Sequence, residues 1–278
     1  MPDRAVWVNG RIARGREALL SVFDRGARDG EGLFETVRVE AGRPQHWRRH
    51  LERLVLSAAE LSFPVPPSPS VLASALGDVL AANELADAVV RITVTRGIPG
   101  SRPSRAGCWI EAEPLLERLW RGTRTGQATA VMSAIPFTPG PLGRFKTTSR
   151  LAYQLARDEA RAAGADEALL LDPEGMVLEG AVSNLFAVTC GLIITPPLSC
   201  GILPGITRGR VLELCASLGI TTRERPVRRE EVLSADEVFV TNSVQQVVPI
   251  VSIDGRPLPS RTLGARLREI YGERVAEG

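Results

Sequence analysis

The chain has 278 residues, 44% hydrophobic and 24% charged, a balance that excludes disordered and collagen-like classes and favours a folded α/β protein. Its formal net charge is +2, and arginines alternate with acids, as in Arg223-Glu224-Arg225, so a one-signed nucleic-acid surface is not expected. The apolar runs are short and broken by charge or proline, which excludes a membrane span.

The four cysteines lack C-x-x-C spacing, and the chain has only two histidines, His46 and His50, so we expect no metal centre. Thiols of this kind are typical of a reducing compartment. The start Met-Pro-Asp-Arg lacks the apolar stretch of a signal peptide. Together these features predict a cytoplasmic protein.

The first 120 residues predict a small α/β domain. Asn9-Gly10 is typical of a hairpin turn between two short strands. Strands are expected at 6–12, 33–39 and 88–95, and helices at 45–61 and 70–83. The loop 96–107, rich in Gly, Pro, Ser and Arg, is long enough to suggest a functional role.

The pattern thins near residue 120, and residues 121–278 predict a larger α/β domain. Strands are expected at 128–135, 167–171, 177–178, 184–188, 238–241 and 247–253, and helices at 148–163, 207–218 and the C-terminus. In the helix 148–163, the spacing of Leu151, Leu155 and Ala162 predicts that all three face the core.

Lys146 is the single lysine among 34 basic residues. On a surface, lysine and arginine are nearly exchangeable, so one interpretation is that this lysine escaped a compositional bias. A second is that the position needs an amine, because a desolvated lysine can lose its proton and form a Schiff base whereas arginine stays charged. A turn-rich stretch before Lys146 and a predicted helix after it favour the second interpretation.

Two further features suit a cofactor bound to that lysine. Glu179 lies between apolar strands, where it could act as an acid or simply form a salt bridge. The segment 203–208, Leu-Pro-Gly-Ile-Thr-Arg, opens a predicted helix whose free N–H groups attract an anion, although it could be an ordinary helix start. Arg53 could balance the charge of that anion or face solvent.

These segments resemble the class IV aminotransferases, the fold-type IV pyridoxal phosphate enzymes, which include branched-chain and D-amino-acid aminotransferases and 4-amino-4-deoxychorismate lyase. The resemblance runs from about Val6 to Leu258. It rests on Asp24-Arg25-Gly26, Gly30 to Glu35, His50-x-x-Arg53-Leu54, Lys146, Glu179 with Ser183-Asn184-Leu185-Phe186, and Gly205-Ile206-Thr207-Arg208. It implies a two-domain α/β fold, residues 1–120 and 121–278, with pyridoxal 5′-phosphate between the domains.

Transferred position by position, the resemblance implies two catalytic residues. Lys146 would form the internal aldimine with the cofactor and move the proton, and Glu179 would pair with the pyridine nitrogen. The cofactor would also contact Arg53, Leu203, Gly205, Ile206, Thr207 and Ser243. Leu203 would lie against the ring, and Arg53, the backbone of Ile206 and Thr207, and the Ser243 hydroxyl would hold the phosphate. Members of the family work as dimers or larger assemblies, which implies a homodimer.

The expected activity is transfer of an amino group between an amino acid or amine and a 2-keto acid. The same residues would serve a 4-amino-4-deoxychorismate lyase, which releases pyruvate and 4-aminobenzoate, and Lys146-x-x-x-Arg150-Leu151 looks more like that enzyme. Intact Lys146 and Glu179 argue against a non-catalytic binding protein. Candidates for substrate contacts are Phe34, Arg38, Arg96 and Arg102.

The expected substrate pocket departs from familiar members. Arg28-Asp29 stands where members often carry an aromatic residue, which argues against a standard branched-chain pocket. Thr95-Arg96-Gly97 resembles the D-amino-acid aminotransferase and the lyase, but the downstream Arg-x-His of the D-specific enzyme is not matched. The substrate, its chirality and the amino acceptor therefore stay open.

Overall fold

The computed structural model describes residues 3–100, 106–120 and 126–276. The chain divides into two compact units, the first made of Met1–Arg118 and Phe145–Ser149, and the second of Leu119–Arg144 and Arg150–Gly278. A single boundary after residue 120 would put residues 145–149 in the second unit, whereas the structure groups them with the first. No helix within the described ranges is long and apolar enough to cross a membrane.

The first unit is an antiparallel sheet with strand order β2-β1-β6-β5-β3-β4. Its elements are β1 (Ala5–Val8), β2 (Arg11–Arg14), α1 (Arg25–Asp29), β3 (Gly32–Glu40), β4 (Arg43–Pro44), α2 (Trp47–Glu60), α3 (Pro69–Ala82), β5 (Ala88–Thr95), β6 (Cys108–Pro114) and α4 (Leu115–Arg118). The predicted hairpin is present: Asn9 and Gly10 both have positive φ, as the two central residues of a type I′ turn require.

The long central strand β3 determines which side chains face the helices of this unit. Leu33 and Val39 belong to the core that contains Leu51 and Leu54 of α2. Because side chains alternate along a strand, Phe34 projects from the opposite face of the sheet. Both faces of β3 are largely buried.

The second unit is a mixed sheet with strand order β12-β11-β10-β14-β15-β7-β8-β9-β13, and β16 pairs with β15. Its elements are β7 (Ala128–Met132), α5 (Leu151–Ala162), β8 (Glu167–Leu171), β9 (Met176–Gly180), β10 (Asn184–Thr189), β11 (Leu192–Thr195), α6 (Ile206–Ser217), β12 (Thr222–Glu224), β13 (Val227–Arg228), α7 (Arg229–Leu233), β14 (Glu237–Asn242), β15 (Gln246–Ile253), β16 (Arg256–Pro257) and α8 (Thr262–Ala276). Parallel pairing occurs on both sides of β7, with β15 and with β8, and between β11 and β12.

Helix α5 buries a different face from the one that the sequence predicts. Leu151 and Leu155 are 73% and 48% exposed and Ala162 is exposed too, so the predicted core positions of all three are wrong. The buried residues are Tyr153, Ala156 and Ala160, at helical spacing. Small alanines let the helix approach β8 closely, and the Tyr153 ring packs edge-on against Phe137 at 4.6 Å.

Candidate active site

The backbone around Lys146 is attached to the edge of β3. The Phe34 N–H donates to the Lys146 carbonyl at 2.9 Å, and the Thr148 N–H donates to the Gly32 carbonyl at 2.8 Å. β4 pairs with the other end of this edge, at Val39 and Glu40, which leaves the first residues of β3 open to the lysine segment. The position of Lys146 is therefore fixed by main-chain hydrogen bonds rather than by its side chain alone.

The lysine amine lies beside an aromatic ring. Lys146 Nζ is 4.7 Å from the centroid of Phe34, and the guanidinium carbon of Arg91 is 3.8 Å from the same centroid. A ring face attracts a cation, so the Phe34 ring offers both side chains a favourable contact. Phe34, predicted to contact substrate, is thus placed next to Lys146.

Arg53 belongs to a buried ion pair that links α2 to β3. Its Nε and Nη2 donate to the two oxygens of Glu35 at 2.8 and 2.7 Å, and His50 Nδ1 lies 2.7 Å from Glu35 Oε2. Burial alone would raise the pKa of Glu35, but the Arg53 charge and hydrogen bonds outweigh it and lower the pKa to about 2. Burial lowers the pKa of His50, so the imidazole is neutral and the Arg53–Glu35 pair carries the charges.

Glu179 lies at the end of β9 and is 3% exposed. Its Oε2 accepts from the Leu203 N–H at 3.1 Å and from Asn184 Nδ2 at 3.3 Å. The guanidinium of Arg150 bonds to the Ala181 carbonyl at 2.9 Å. Burial lowers the pKa of Arg150, and the negative charge of Glu179 is among the groups that oppose this shift. A buried acid with fixed orientation therefore lies in the second unit.

A second buried acid, Glu167, supports the turn that follows Glu179. Its Oε2 accepts from the Ser183 hydroxyl at 2.6 Å, and its Oε1 accepts from the Ala168 N–H at 3.0 Å. Burial raises the pKa of Glu167 to about 7, although these hydrogen bonds oppose the shift. The sequence did not mark this residue as part of a site.

The first turn of α6 has the features of an anion site. Gly205 is the N-cap residue, and no side chain among the described residues caps the helix. Thr207 is 2% exposed, and its Oγ1 has no hydrogen-bond partner in the described part of the chain. A buried hydroxyl without a partner, beside free helix N–H groups, fits the phosphate of pyridoxal 5′-phosphate.

Ser243, the other predicted phosphate contact of this unit, lies in the turn between β14 and β15. That turn is held by Asn242 Oδ1, which accepts from the N–H groups of Val244 and Gln245 at 2.9 and 2.7 Å. Ser243 is half-buried. The side chain of Asn242, the neighbour of Ser243, therefore orders this turn.

The predicted substrate arginines already bind protein groups. Arg38 is 4% exposed, and its Nη2 lies 2.7 Å from Glu40 Oε1. Arg96 donates to the Leu61 carbonyl at 2.6 Å, and its Nε lies 3.1 Å from Glu31 Oε2. Arg102 lies outside the described residues.

Comparison with known proteins now decides the family. Residues 32–253 match the family model for amino-transferase class IV. A protein of Methanocaldococcus jannaschii, provisionally named a branched-chain-amino-acid aminotransferase, is 34% identical over 270 residues, 93% of this chain and 91% of that protein. The D-alanine aminotransferase of Bacillus licheniformis is 31% identical over 268 residues, 95% of this chain and 94% of that protein. The chain belongs to the class IV aminotransferase family.

Solved structures agree with this assignment. The branched-chain aminotransferase of the archaeon Thermoproteus uzoniensis, solved with norvaline, matches with a TM-score of 0.86 and 32% identity, over 98% of this chain and 94% of that chain. A Legionella pneumophila chain, provisionally named 4-amino-4-deoxychorismate lyase, matches with a TM-score of 0.83 and 26% identity, over 92% of this chain and 95% of that chain. Other matching branched-chain aminotransferase structures hold N-(5′-phosphopyridoxyl)-L-glutamate or pyridoxamine 5′-phosphate.

This class IV aminotransferase is a pyridoxal 5′-phosphate-dependent enzyme with an α/β fold of type IV. The predicted family, fold class, aminotransferase activity and cofactor are confirmed. Within the units, the structure brings Phe34 next to Lys146, and Leu203 next to Glu179.

Three residues next to the predicted site had no predicted role: Glu35, His50 and Asn184. All three are nearly fully buried polar residues. In the sequence these residues stood out only as members of the family segments, because a buried polar side chain cannot be recognised before its partner is known. The signal that could have revealed them is a charged or amide residue inside an apolar strand or on the apolar face of a helix.

Proposed function

We propose that this enzyme transfers an amino group between an amino acid or amine and a 2-keto acid, and that Lys146 is the residue that binds the cofactor aldehyde and moves the proton. The observation that carries this proposal is the fixed position of the chain's single lysine on the edge of β3. No other side chain of this chain offers a lysine amine.

Bound pyridoxal 5′-phosphate supplies a ring that withdraws electrons from the α-carbon of the substrate. Lys146 Nζ would take the proton from that carbon and return it at the neighbouring position, and this step requires an uncharged amine. Glu179 would accept a hydrogen bond from the protonated pyridine nitrogen and stabilise its positive charge.

We propose that the phosphate is held by Thr207 Oγ1, the N–H groups of Ile206 and Thr207 and the hydroxyl of Ser243, with Arg53 balancing its charge. Support comes from the buried Thr207 hydroxyl and from the Glu35 ion pair, which fixes the plane of the Arg53 guanidinium. Gly205 begins the helix and lets the backbone approach the anion. Leu203 would lie against the cofactor ring.

The test of Lys146 uses two variants, one without any lysine and one with a lysine at a different position. Lys146→Ala should lower kcat at least about a thousandfold, since both the covalent bond and the proton transfer are lost. The double variant Arg144→Lys, Lys146→Ala restores a lysine two positions away and should stay inactive.

Borohydride reduction of the loaded parent enzyme, followed by peptide mass analysis, should label Lys146 alone. The variant Arg144→Lys on its own keeps Lys146 and serves as the control for activity and labelling. Full activity of Lys146→Ala, or a label elsewhere, would disprove the proposal.

The lyase is the second candidate, because the Legionella pneumophila chain named for that activity has the same fold over most of both chains. Aminodeoxychorismate and pairs of amino acid and keto acid separate the two. The aminotransferase predicts exchange between amino acid and keto acid. Pyruvate release from aminodeoxychorismate without such exchange would assign the enzyme as the lyase.

We propose Phe34 as a substrate contact because its ring already lies beside the reacting amine. Arg38, Arg96 and Arg102 remain the proposed carboxylate contacts, and the first two would share their guanidinium groups with Glu40 and Leu61. The relatives include enzymes named for branched-chain amino acids and for D-alanine. A half-reaction screen with L-amino acids, D-amino acids and simple amines therefore tests chirality directly.

We also propose that the enzyme works as a homodimer in the cytoplasm. The segment 19–23, here called the exposed apolar segment, contains Leu19, Val22 and Phe23 with exposed fractions of 72%, 74% and 64%. Adjacent exposed apolar side chains are typical of a protein–protein interface. All four cysteines are free, which suits a reducing compartment.

A further inference from the structure

Asn184 connects the two parts of the second unit to which the proposed function assigns cofactor contacts. It is the first residue of β10 and is 3% exposed. Its Nδ2 donates to the Leu203 carbonyl at 2.9 Å and to Glu179 Oε2 at 3.3 Å. The Leu203 N–H donates to the same Glu179 oxygen at 3.1 Å. One amide group thus closes a ring of hydrogen bonds between the acid and the segment before α6.

The other side of the same amide contacts the start of α6. A Cβ placed on Gly205 would lie 1.9 Å from Asn184 Oδ1 and 3.1 Å from Asn184 Cγ. No side chain can occupy that space while the amide keeps its position. Asn184 therefore touches the acid through its nitrogen and the N-cap residue of the helix through its oxygen.

The arrangement fixes the orientation of a carboxylate. Both donors bind Oε2 of Glu179, so rotation of the carboxylate would break two hydrogen bonds at once. Hydrogen bonds to a buried charged group are stronger than those between neutral groups, and leaving the group without them is costly. A carboxylate held in one orientation is the group that a pyridine nitrogen needs as its partner.

We propose that Asn184 is a positioning residue: it holds the Glu179 carboxylate toward the pyridine nitrogen of the cofactor and keeps the start of α6 at a fixed spacing from that acid. This inference rests on the proposed role of Glu179. Nothing in the amide itself reacts, and Asn184 acts on the cofactor through its neighbours.

The test compares two cofactors in the variant Asn184→Ala. One is pyridoxal 5′-phosphate, and the other is 1-deazapyridoxal 5′-phosphate, in which carbon replaces the pyridine nitrogen. The dissociation constant for the natural cofactor should rise about tenfold or more. For the analogue, which offers Glu179 no N–H group, the rise should be clearly smaller, at most about threefold. A rise of the same size for both cofactors, or no rise for the natural one, would overturn the inference.

The variant Asn83→Ala is the matched control. Asn83 Nδ2 donates to the carbonyls of Ala5 and Val79, both at 2.8 Å, so the same substitution removes comparable amide bonds from residues with no proposed cofactor contact. Its two dissociation constants should equal those of the parent. If Asn184→Ala does not fold, Asn184→Asp keeps the shape but replaces the donor by an acceptor, and the same difference between the cofactors is expected.

The variant Glu179→Gln separates this inference from the proposed function. Binding and turnover equal to the parent would mean that Glu179 has no role, and both proposals about it would fail. An impaired Glu179→Gln beside an unimpaired Asn184→Ala would overturn the positioning role alone. In the Glu179→Gln background, adding Asn184→Ala should change the affinity for the natural cofactor little, because the group through which it acts is already altered.

Discussion

Glu167 makes the stability of the protein depend on pH in a direction opposite to that of most acids. Its pKa is raised to about 7 by burial. A carboxyl group whose pKa is higher in the folded than in the unfolded state stabilises the fold below its ordinary pKa of 4.5. That contribution is lost as the pH rises toward 7. The hydrogen bond of the Ser183 hydroxyl depends on the ionisation of Glu167, because it is made to the same carboxyl.

The variant Glu167→Gln should therefore remove a pH dependence. Between about pH 5 and pH 8, this acid lowers the free energy of unfolding of the parent by about 1.4 kcal/mol per unit of pKa difference, and the amide cannot ionise. Urea unfolding at both pH values should show a smaller decrease for Glu167→Gln than for the parent. Glu159, which accepts comparable bonds from Ser133 and Ala134 in a less buried place, supplies the control Glu159→Gln. An unchanged pH dependence in Glu167→Gln would contradict the prediction.

At the scale of single residues, the sequence was informative where composition made a residue unusual. Lys146 stood out because all other basic residues are arginine. Glu35 and Arg53 are 18 positions apart and meet only when α2 packs on β3, so their ion pair was not predictable. The hydrogen bond from Arg96 to the Leu61 carbonyl, at the end of α2, was not predictable for the same reason.

At the scale of elements, periodicity located most helices and strands, including β5 and the hairpin of β1 and β2. Periodicity did not reveal the strands β6, β11 and β12. β11 and β12 have only 4 and 3 residues, too few for a periodic signal. Helix α5 begins at Leu151 rather than near 148 because Thr147 and Thr148 pair with β3, a long-range contact that local preference cannot show.

The start of α6 offers a paired test with two glycines. Gly205→Ala puts a Cβ where Asn184 Oδ1 lies, so the amide must move and cofactor affinity should fall about tenfold. Gly209 lies in the same helix with no described atom within 4 Å of a Cβ, and Gly209→Ala should raise the free energy of unfolding by about 0.5–1 kcal/mol. Cofactor titration and thermal unfolding of both variants check this, and equal behaviour would refute the close contact at Gly205.

At the scale of the whole molecule, the exposed apolar segment makes the dimer testable. Phe23→Glu places a charge in the proposed interface and should shift the protein toward monomer by at least about tenfold in dissociation constant. Leu116→Glu changes another exposed apolar residue, 58% accessible on α4, and should leave the assembly unchanged. Light scattering behind size-exclusion chromatography gives the mass of each. A monomeric parent, or a dimer insensitive to Phe23→Glu, would exclude this interface.

The return of residues 145–149 to the first unit also constrains how the protein is made. A ribosome completes strands β1 to β6 some 30 residues before it delivers the lysine that belongs on the edge of β3. A gene split at residue 119 would yield one fragment with that edge but without the lysine, and another with the lysine but without the strand that positions it. Neither fragment alone can present the amine on that edge, so the covalent bond to the coenzyme proposed for Lys146 requires both parts of the chain.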